Sequence, residues 1–151
     1  MPRILLVDAD ERSNALYAHL LESEGYGVRA ASSAAEALRA FDRESFDLAV
    51  LESRIPGMDG LETMETMLSK DPAVLIVFHT TDASLKDNFW SWFADAFIVK
   101  SDDISVLLST VRTLLATRPS RQQRFGADSP RMEPFAPLPS VAGGKRQGGA
   151  P

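Results

Sequence analysis

The most constraining feature of this chain is a fivefold alternation of short apolar runs with helical patterns. The runs are Ile4-Leu5-Leu6-Val7, a weaker one at Gly27-Val28-Arg29-Ala30, Leu48-Ala49-Val50-Leu51, Val74-Leu75-Ile76-Val77-Phe78 and Phe97-Ile98-Val99. Near-continuous apolar runs of this length suit strands buried on both faces, as in a parallel sheet. Between and after them, apolar side chains recur at helical spacing. Leu16, Leu20 and Leu21 mark the first helix, and Ala34, Ala37, Leu38 and Phe41 the second. Leu61, Met64, Met67 and Leu68 mark the third, and Leu85, Phe89, Trp92 and Phe93 the fourth. The last helix has the clearest stripe, from Ile104 and Leu107 to Leu114 and Leu115. Ser33 and Glu36 form a candidate capping box. Asp102 and Asp103 stand where acidic side chains cap free N–H groups and favour the helix dipole. Strict alternation implies right-handed crossovers and helices on both faces. The expectation is an α/β fold with a doubly wound five-stranded parallel sheet. Ligands of such sheets sit beyond the carboxyl ends of the strands.

The alternation stops near Pro119. Residues 119–151 contain six prolines and five glycines and end in a Gly-rich run. Such a composition buries too little surface to offset ordering entropy, so residues 1–118 are read as one domain and 119–151 as a disordered tail. Its apolar stretch, residues 132–141, is read as solvated, with docking on another surface as the alternative. Charge divides along the same boundary. Residues 1–118 carry 11 Lys/Arg against 19 Asp/Glu, a net of −8, and the tail carries 5 against 2, a net of +3. An acidic body argues against nucleic-acid binding. There are no cysteines and only two histidines, His19 and His79, so thiol chemistry and Cys- or His-rich metal sites are not expected. With no signal peptide or membrane-length apolar run visible, a cytoplasmic location is the expectation.

The strand ends concentrate the reactive side chains. The first run ends at Asp8, followed by Ala9-Asp10-Glu11. The third ends at Glu52, the fourth at His79-Thr80-Thr81 and the fifth at Lys100. Carboxylates suit Mg²⁺, and a lysine suits a phosphate-like anion.

Leu6-Val7-Asp8, Phe46-Asp47-Leu48-Ala49-Val50-Leu51, Pro56-Gly57-Met58-Asp59-Gly60 and Val99-Lys100 resemble, in order and spacing, the receiver domain of bacterial two-component response regulators. The resemblance extends over about 115 residues. It implies a CheY-like (flavodoxin-like) (βα)5 domain with strand order 2-1-3-4-5. In that family an acidic residue that helps organise Mg²⁺ falls on Asp8, and the more direct metal ligand on Ala9. The phosphoacceptor aspartate falls on Glu52. The switch Ser/Thr falls on His79, or on Thr80 if the loop slips by one. The rotating aromatic falls on Phe97, the lysine on Lys100, and the proline that follows it on Ser101.

The chain thus keeps the scaffold and departs at the chemistry. Receiver phosphorylation needs an in-line carboxylate and a divalent ion. Ala9 removes a charge and an oxygen ligand that Asp10, one residue along, need not restore. Glu52 displaces the carboxylate by one C–C bond, roughly 1.5 Å, and a misplacement of about 1 Å can cost on the order of 10²-fold. Metal binding is expected to be absent, or weak and through Asp8 and Glu52. Glu52 would then stand in the space of a phosphoryl group or simply pair with Lys100.

The expectation is a stand-alone atypical receiver, a signalling interaction module and not an enzyme, with phosphorylation weakened or absent. The alternatives are a conventional phosphorylatable Mg²⁺-dependent regulator and a small Mg²⁺-dependent phosphatase or hydrolase. Ala9 and the lack of a further base argue against the last. Expected partners are signalling proteins, a histidine kinase or a downstream effector among them, or a second copy. The face they would use comprises the fourth helix, the fifth strand and the fifth helix. Trp90 lies off the apolar stripe of Leu85, Phe89, Trp92 and Phe93 and is the candidate anchor of that face.

Overall fold

The computed structural model describes residues 1–84 and 93–118. The tail and the greater part of the fourth expected helix, with Trp90, lie outside the described residues. In chain order the elements are β1 (Arg3–Val7), α1 (Glu11–Ser23), β2 (Gly27–Ala31), α2 (Ala34–Arg43), β3 (Leu48–Leu51), β4 (Arg54–Ile55), β5 (Met58–Asp59), α3 (Gly60–Lys70), β6 (Leu75–Thr80), β7 (Ala96–Val99) and α4 (Ser105–Thr117). Five strands pair in parallel in the order β2-β1-β3-β6-β7. Counting only these five, the order is the expected 2-1-3-4-5.

The apolar runs form the strands because both faces are covered. Leu5, Val7, Ala49, Leu51, Ile76 and Phe78 point to one side, into a core completed by α2 and α3. Ile4, Leu6, Leu48, Val50, Leu75 and Val77 point to the other, under α1 and α4. A run that alternated with polar residues would have left one face wet.

Four local features differ from the sequence reading. The stripe of α1 is rotated: Asn14, Tyr17 and Leu21 are buried, whereas Leu16 is 51% exposed. The capping box is displaced by one residue. Ser33 Oγ accepts from Glu36 N–H at 3.1 Å, but Glu36 reaches back to the N–H of Ser32, not of Ser33, at 2.7 Å. At α4 the cap position is Ile104, with no side-chain cap bond. Asp103 instead accepts from Ser105 N–H at 3.0 Å, and Asp102 is exposed. The fourth sheet strand runs two residues further than its apolar run, because β7 pairs with His79 and Thr80 through Ile98 and Val99.

The segment after β3 is a small antiparallel hairpin of β4 and β5. Its two-residue turn is Pro56-Gly57, with Gly57 at φ +92°. Proline presets the first central position of such a turn, and the second requires positive φ. Asp59 then caps α3 by accepting from Glu62 N–H at 2.8 Å. Gly60 opens that helix under the strand end. A Cβ there would lie 2.9 Å from Phe78 and 3.0 Å from both the Glu52 carbonyl oxygen and the Ser53 Cα.

Candidate functional site

Asp8, Glu52 and Lys100 come from three different strand ends, and the sheet order places β1, β3 and β6 side by side with β7 at the edge. Lys100 is fixed there by its own backbone, whose N–H donates to Thr80 C=O at 2.7 Å. Its ammonium donates to Asp8 Oδ2 and lies 3.1 Å from Glu52 Oε1. The three side chains are 12%, 7% and 14% exposed, so the pairs are shielded from water and are stronger than surface pairs. The same ammonium stands 6.0 Å from the ring centroid of Tyr17.

Each carboxylate is held a second time. Asp8 Oδ1 accepts from Asp10 N–H at 2.9 Å. Asn14, buried on α1, donates through Nδ2 to the carbonyls of Asp8 at 2.7 Å and Ala31 at 2.9 Å, fastening the β1 end to β2. Glu52 Oε2 accepts from the N–H of Ser53 at 2.8 Å and from its hydroxyl at 3.2 Å. Ser53 Oγ shares a 2.8 Å hydrogen bond with Thr80 Oγ1, and Thr80 Oγ1 accepts from Asp82 N–H at 3.1 Å. A continuous polar chain therefore runs from Lys100 through Glu52, Ser53 and Thr80 to the loop after β6.

Partial burial alone would raise the Glu52 carboxyl. Hydrogen bonds from Thr80, Lys100 and Ser53, with the charge of Lys100, outweigh it and leave Glu52 below the ordinary carboxylate range. Burial likewise works against the Lys100 ammonium, but Asp8 and Glu52 reverse this and raise it.

His79 and Thr80, neighbours on β6, point to opposite faces. Thr80 reaches the Glu52 network. His79 packs edge-on against Tyr17, centroids 4.8 Å apart, on the α1 side of the sheet. Burial first, then the charge of Lys100, push its imidazole down to about 4. Phe97 is half-buried, its ring 6.2 Å from that of Phe78.

Asp10 does not join the pair of carboxylates at Lys100. Its Oδ1 caps α1, accepting from the N–H groups of Arg12 at 3.0 Å and Ser13 at 3.5 Å, and its Oδ2 accepts from Ser13 Oγ at 3.3 Å. Those backbone bonds hold its carboxyl below the usual value. Ala9 puts a methyl at the neighbouring position. Among the described residues no three His, Cys, Asp or Glu side chains converge in a way that could hold a metal ion. The two carboxylates at the site are both committed to Lys100, so this donor set does not fit a resident Mg²⁺.

Ser53 and Asn14 escape the sequence reading. Ser53 had one signal, a hydroxyl directly after the strand-end acid. Asn14 had another, a polar residue one turn past a helix cap, on the face that carries Tyr17 and Leu21.

Residues 4–112 match the model of the response regulator receiver domain. The chain belongs to this family. The transcriptional regulatory protein GlrR of Escherichia coli is 36% identical over 84 residues, which make up 56% of this chain and 19% of that protein. The receiver-matching chain thus spans about a fifth of this relative's length. Among solved structures, the response regulator TrrA of Thermotoga maritima in complex with Mg²⁺-BeF superposes with a TM-score of 0.72 at 32% identity, covering 76% of this chain and 99% of that one. TrrA in complex with the histidine kinase ThkA gives 0.71 at 33% identity, with 76% and 99% covered. The receiver is a signalling module of two-component systems, and no helix among the described residues is long and apolar enough to cross a membrane.

Proposed function

We propose that this chain is an atypical receiver that works in two-component phosphorelay signalling as a protein-interaction module, with phosphoryl transfer weakened or absent. One observation carries the reading: the Lys100 ammonium is bonded to both Asp8 and Glu52. In a receiver that accepts phosphate, the lysine and an acidic pair face an incoming phosphoryl group and its metal ion. Here Glu52, longer by one methylene, supplies the anion itself. Its second oxygen engages Ser53, and through Ser53 the Thr80 hydroxyl. Thr80 takes the switch position and Phe97 the aromatic one. Glu52 has one charge and two oxygens against nearly two charges and three oxygens for a phosphoryl group, so it holds the arrangement less strongly.

Residues 1–118 are the receiver and 119–151 a tail, in a cytoplasmic protein that binds Mg²⁺ weakly or not at all. Its partners are signalling proteins, by analogy with the TrrA–ThkA pair. The proposed docking surface, for a partner or a second copy, is the face made by the expected fourth helix with Trp90, β7 and α4. The reading is tested by incubating the full chain with a small acyl phosphate and Mg²⁺ and measuring intact mass. The unmodified mass is expected. Covalent addition of one phosphoryl group would instead establish a conventional receiver, and Mg²⁺-dependent turnover of the donor would establish a hydrolase.

A further inference from the structure

The carboxyl edge of the sheet concentrates negative charge. Loop residues 8–12, 52–62, 81–84 and 100–103 carry nine carboxylates against three cationic side chains. This accounts for six of the eight net negative charges of residues 1–118. Burial, and then the charges of Asp59 and Glu62, raise the Glu65 carboxyl, an electrostatic mark of that crowding. Within the edge lies a shallow, mainly apolar groove formed by Ala9, Ile55, Pro56 and Met58, with Arg54 and Asp59 at its margin. Pro56 and Ala9 are exposed and Met58 half-exposed. A carboxylate at position 9 would have made this wall polar; the methyl joins it to the apolar hairpin.

An apolar groove inside an acidic rim suits an apolar, extended segment carried on a basic chain, and the tail supplies one, with Arg131 and Glu133 cancelling inside the segment and the basic excess in the residues on either side of it. Residues 131–141 read Arg-Met-Glu-Pro-Phe-Ala-Pro-Leu-Pro-Ser-Val, within a tail of net charge +3. Proline-rich segments are already extended and lose little entropy on docking. Reach is sufficient. Arg118 lies at the amino edge of the sheet, paired with Asp47 at 3.0 Å. The 13 residues of α4 span roughly 20 Å between the two edges. The 14 residues from Arg118 to Met132 extend to about 46 Å.

We propose that residues 131–141 fold back over the carboxyl edge, seating Met132, Phe135 and Leu138 in the Ala9–Ile55–Pro56–Met58 groove with Arg131 against the acidic rim. The proposal does not depend on whether Glu52 accepts phosphate.

The absence of cysteine allows a single spin label at Ala136→Cys in the full ¹⁵N-labelled chain. Selective loss of the Ala9, Ile55 and Met58 amide signals is expected, diminishing as salt screens the rim and abolished by Met58→Glu. Absent or uniform signal loss would overturn the proposal, as would selective loss that survives Met58→Glu. Mixing unlabelled-nitrogen, spin-labelled chain with ¹⁵N chain lacking the label separates the remaining occupant. Equal signal loss in the mixture would mean that the tail of a second copy fills the groove, and the fold-back would be wrong.

Discussion

At the scale of single residues, the site is governed by which charges are held and which are refused. Glu52 and Lys100 each meet a desolvation cost and each remain ionised because the other supplies the compensating bond. His79, on the opposite face of β6, has no such bond among the described residues and is pushed down to about 4. Its unfolded value is near 6.5, so between these two values the unfolded chain binds the extra proton and stability rises with pH. Stability is therefore expected to fall as pH drops from about 6.5 to about 4, by up to about 3 kcal/mol from this residue. Glu52 contributes with the window displaced: its depressed value gives stability that is full above about 4.5 and lost as pH falls below it. Urea denaturation at several pH values should show His79→Leu flattening the first window and leaving the second. An unchanged slope in that variant would contradict the assignment. Asp8, Glu52 and Lys100 were legible in the sequence because each directly ends a strand, where the alternation has only one place for it. Ser53 was not, since its role depends on the rotamer that brings its hydroxyl between Glu52 and Thr80. The choice between His79 and Thr80 was open for a related reason. It turns on strand register, and β6 runs past its apolar residues to pair with β7.

At the scale of elements, the strands follow from burial and the helix details from local hydrogen bonding. The strand runs of β1, β3 and β6 could be read because nothing else explains consecutive apolar residues bounded by turns. The inward face of α1 could not be read from leucines alone. Tyr17 and Asn14 are buried by particular partners, His79 and the carbonyls of Asp8 and Ala31, and Leu16 is left outside. The hairpin of β4 and β5 shows how element geometry reaches the site. Its turn needs Gly57 for φ, whereas Gly60 is needed for space, since α3 starts against the backbone of Glu52 and Ser53. Gly60→Ala should therefore be destabilising although alanine is the better helix former by about 1 kcal/mol. Overpacking typically costs about 1–3 kcal/mol, and here the near atoms include backbone that cannot rotate away. Thermal denaturation should give a net loss, and amide exchange at Ser53 should quicken as its bond to Glu52 is displaced. A gain in stability would show that the first turn of α3 can shift freely.

At the scale of the whole molecule, the two edges of the sheet differ in their electrostatics. At the amino edge, charges are matched in pairs: Glu44 with Arg3 and Arg29, Asp47 with Arg118, Glu24 with Arg112, and Asp42 with Lys70. The carboxyl edge holds the unbalanced acids. Among the described residues only Asp8 and Glu52 there share Lys100, and Asp82 has Arg54. Exposed pairs contribute about 0–1 kcal/mol each, and salt weakens them. Repulsion among carboxylates within a Debye length, about 10 Å at 0.1 M salt, weakens under the same screening and is spread over more charges. The second effect outweighs the first when net charge is concentrated on one edge. Raising NaCl from about 20 mM to about 300 mM should therefore stabilise the chain, by on the order of 1 kcal/mol or several degrees in Tm. Asp102 and Asp103 are exposed at that edge without an ion pair among the described residues. Replacing Asp102 with asparagine, and leaving Asp103 to hold Ser105 N–H, should raise Tm at low salt and shrink the salt effect. If salt instead lowered Tm in both proteins, the amino-edge pairs would dominate, and the acidic edge would not be a source of strain that a basic partner relieves.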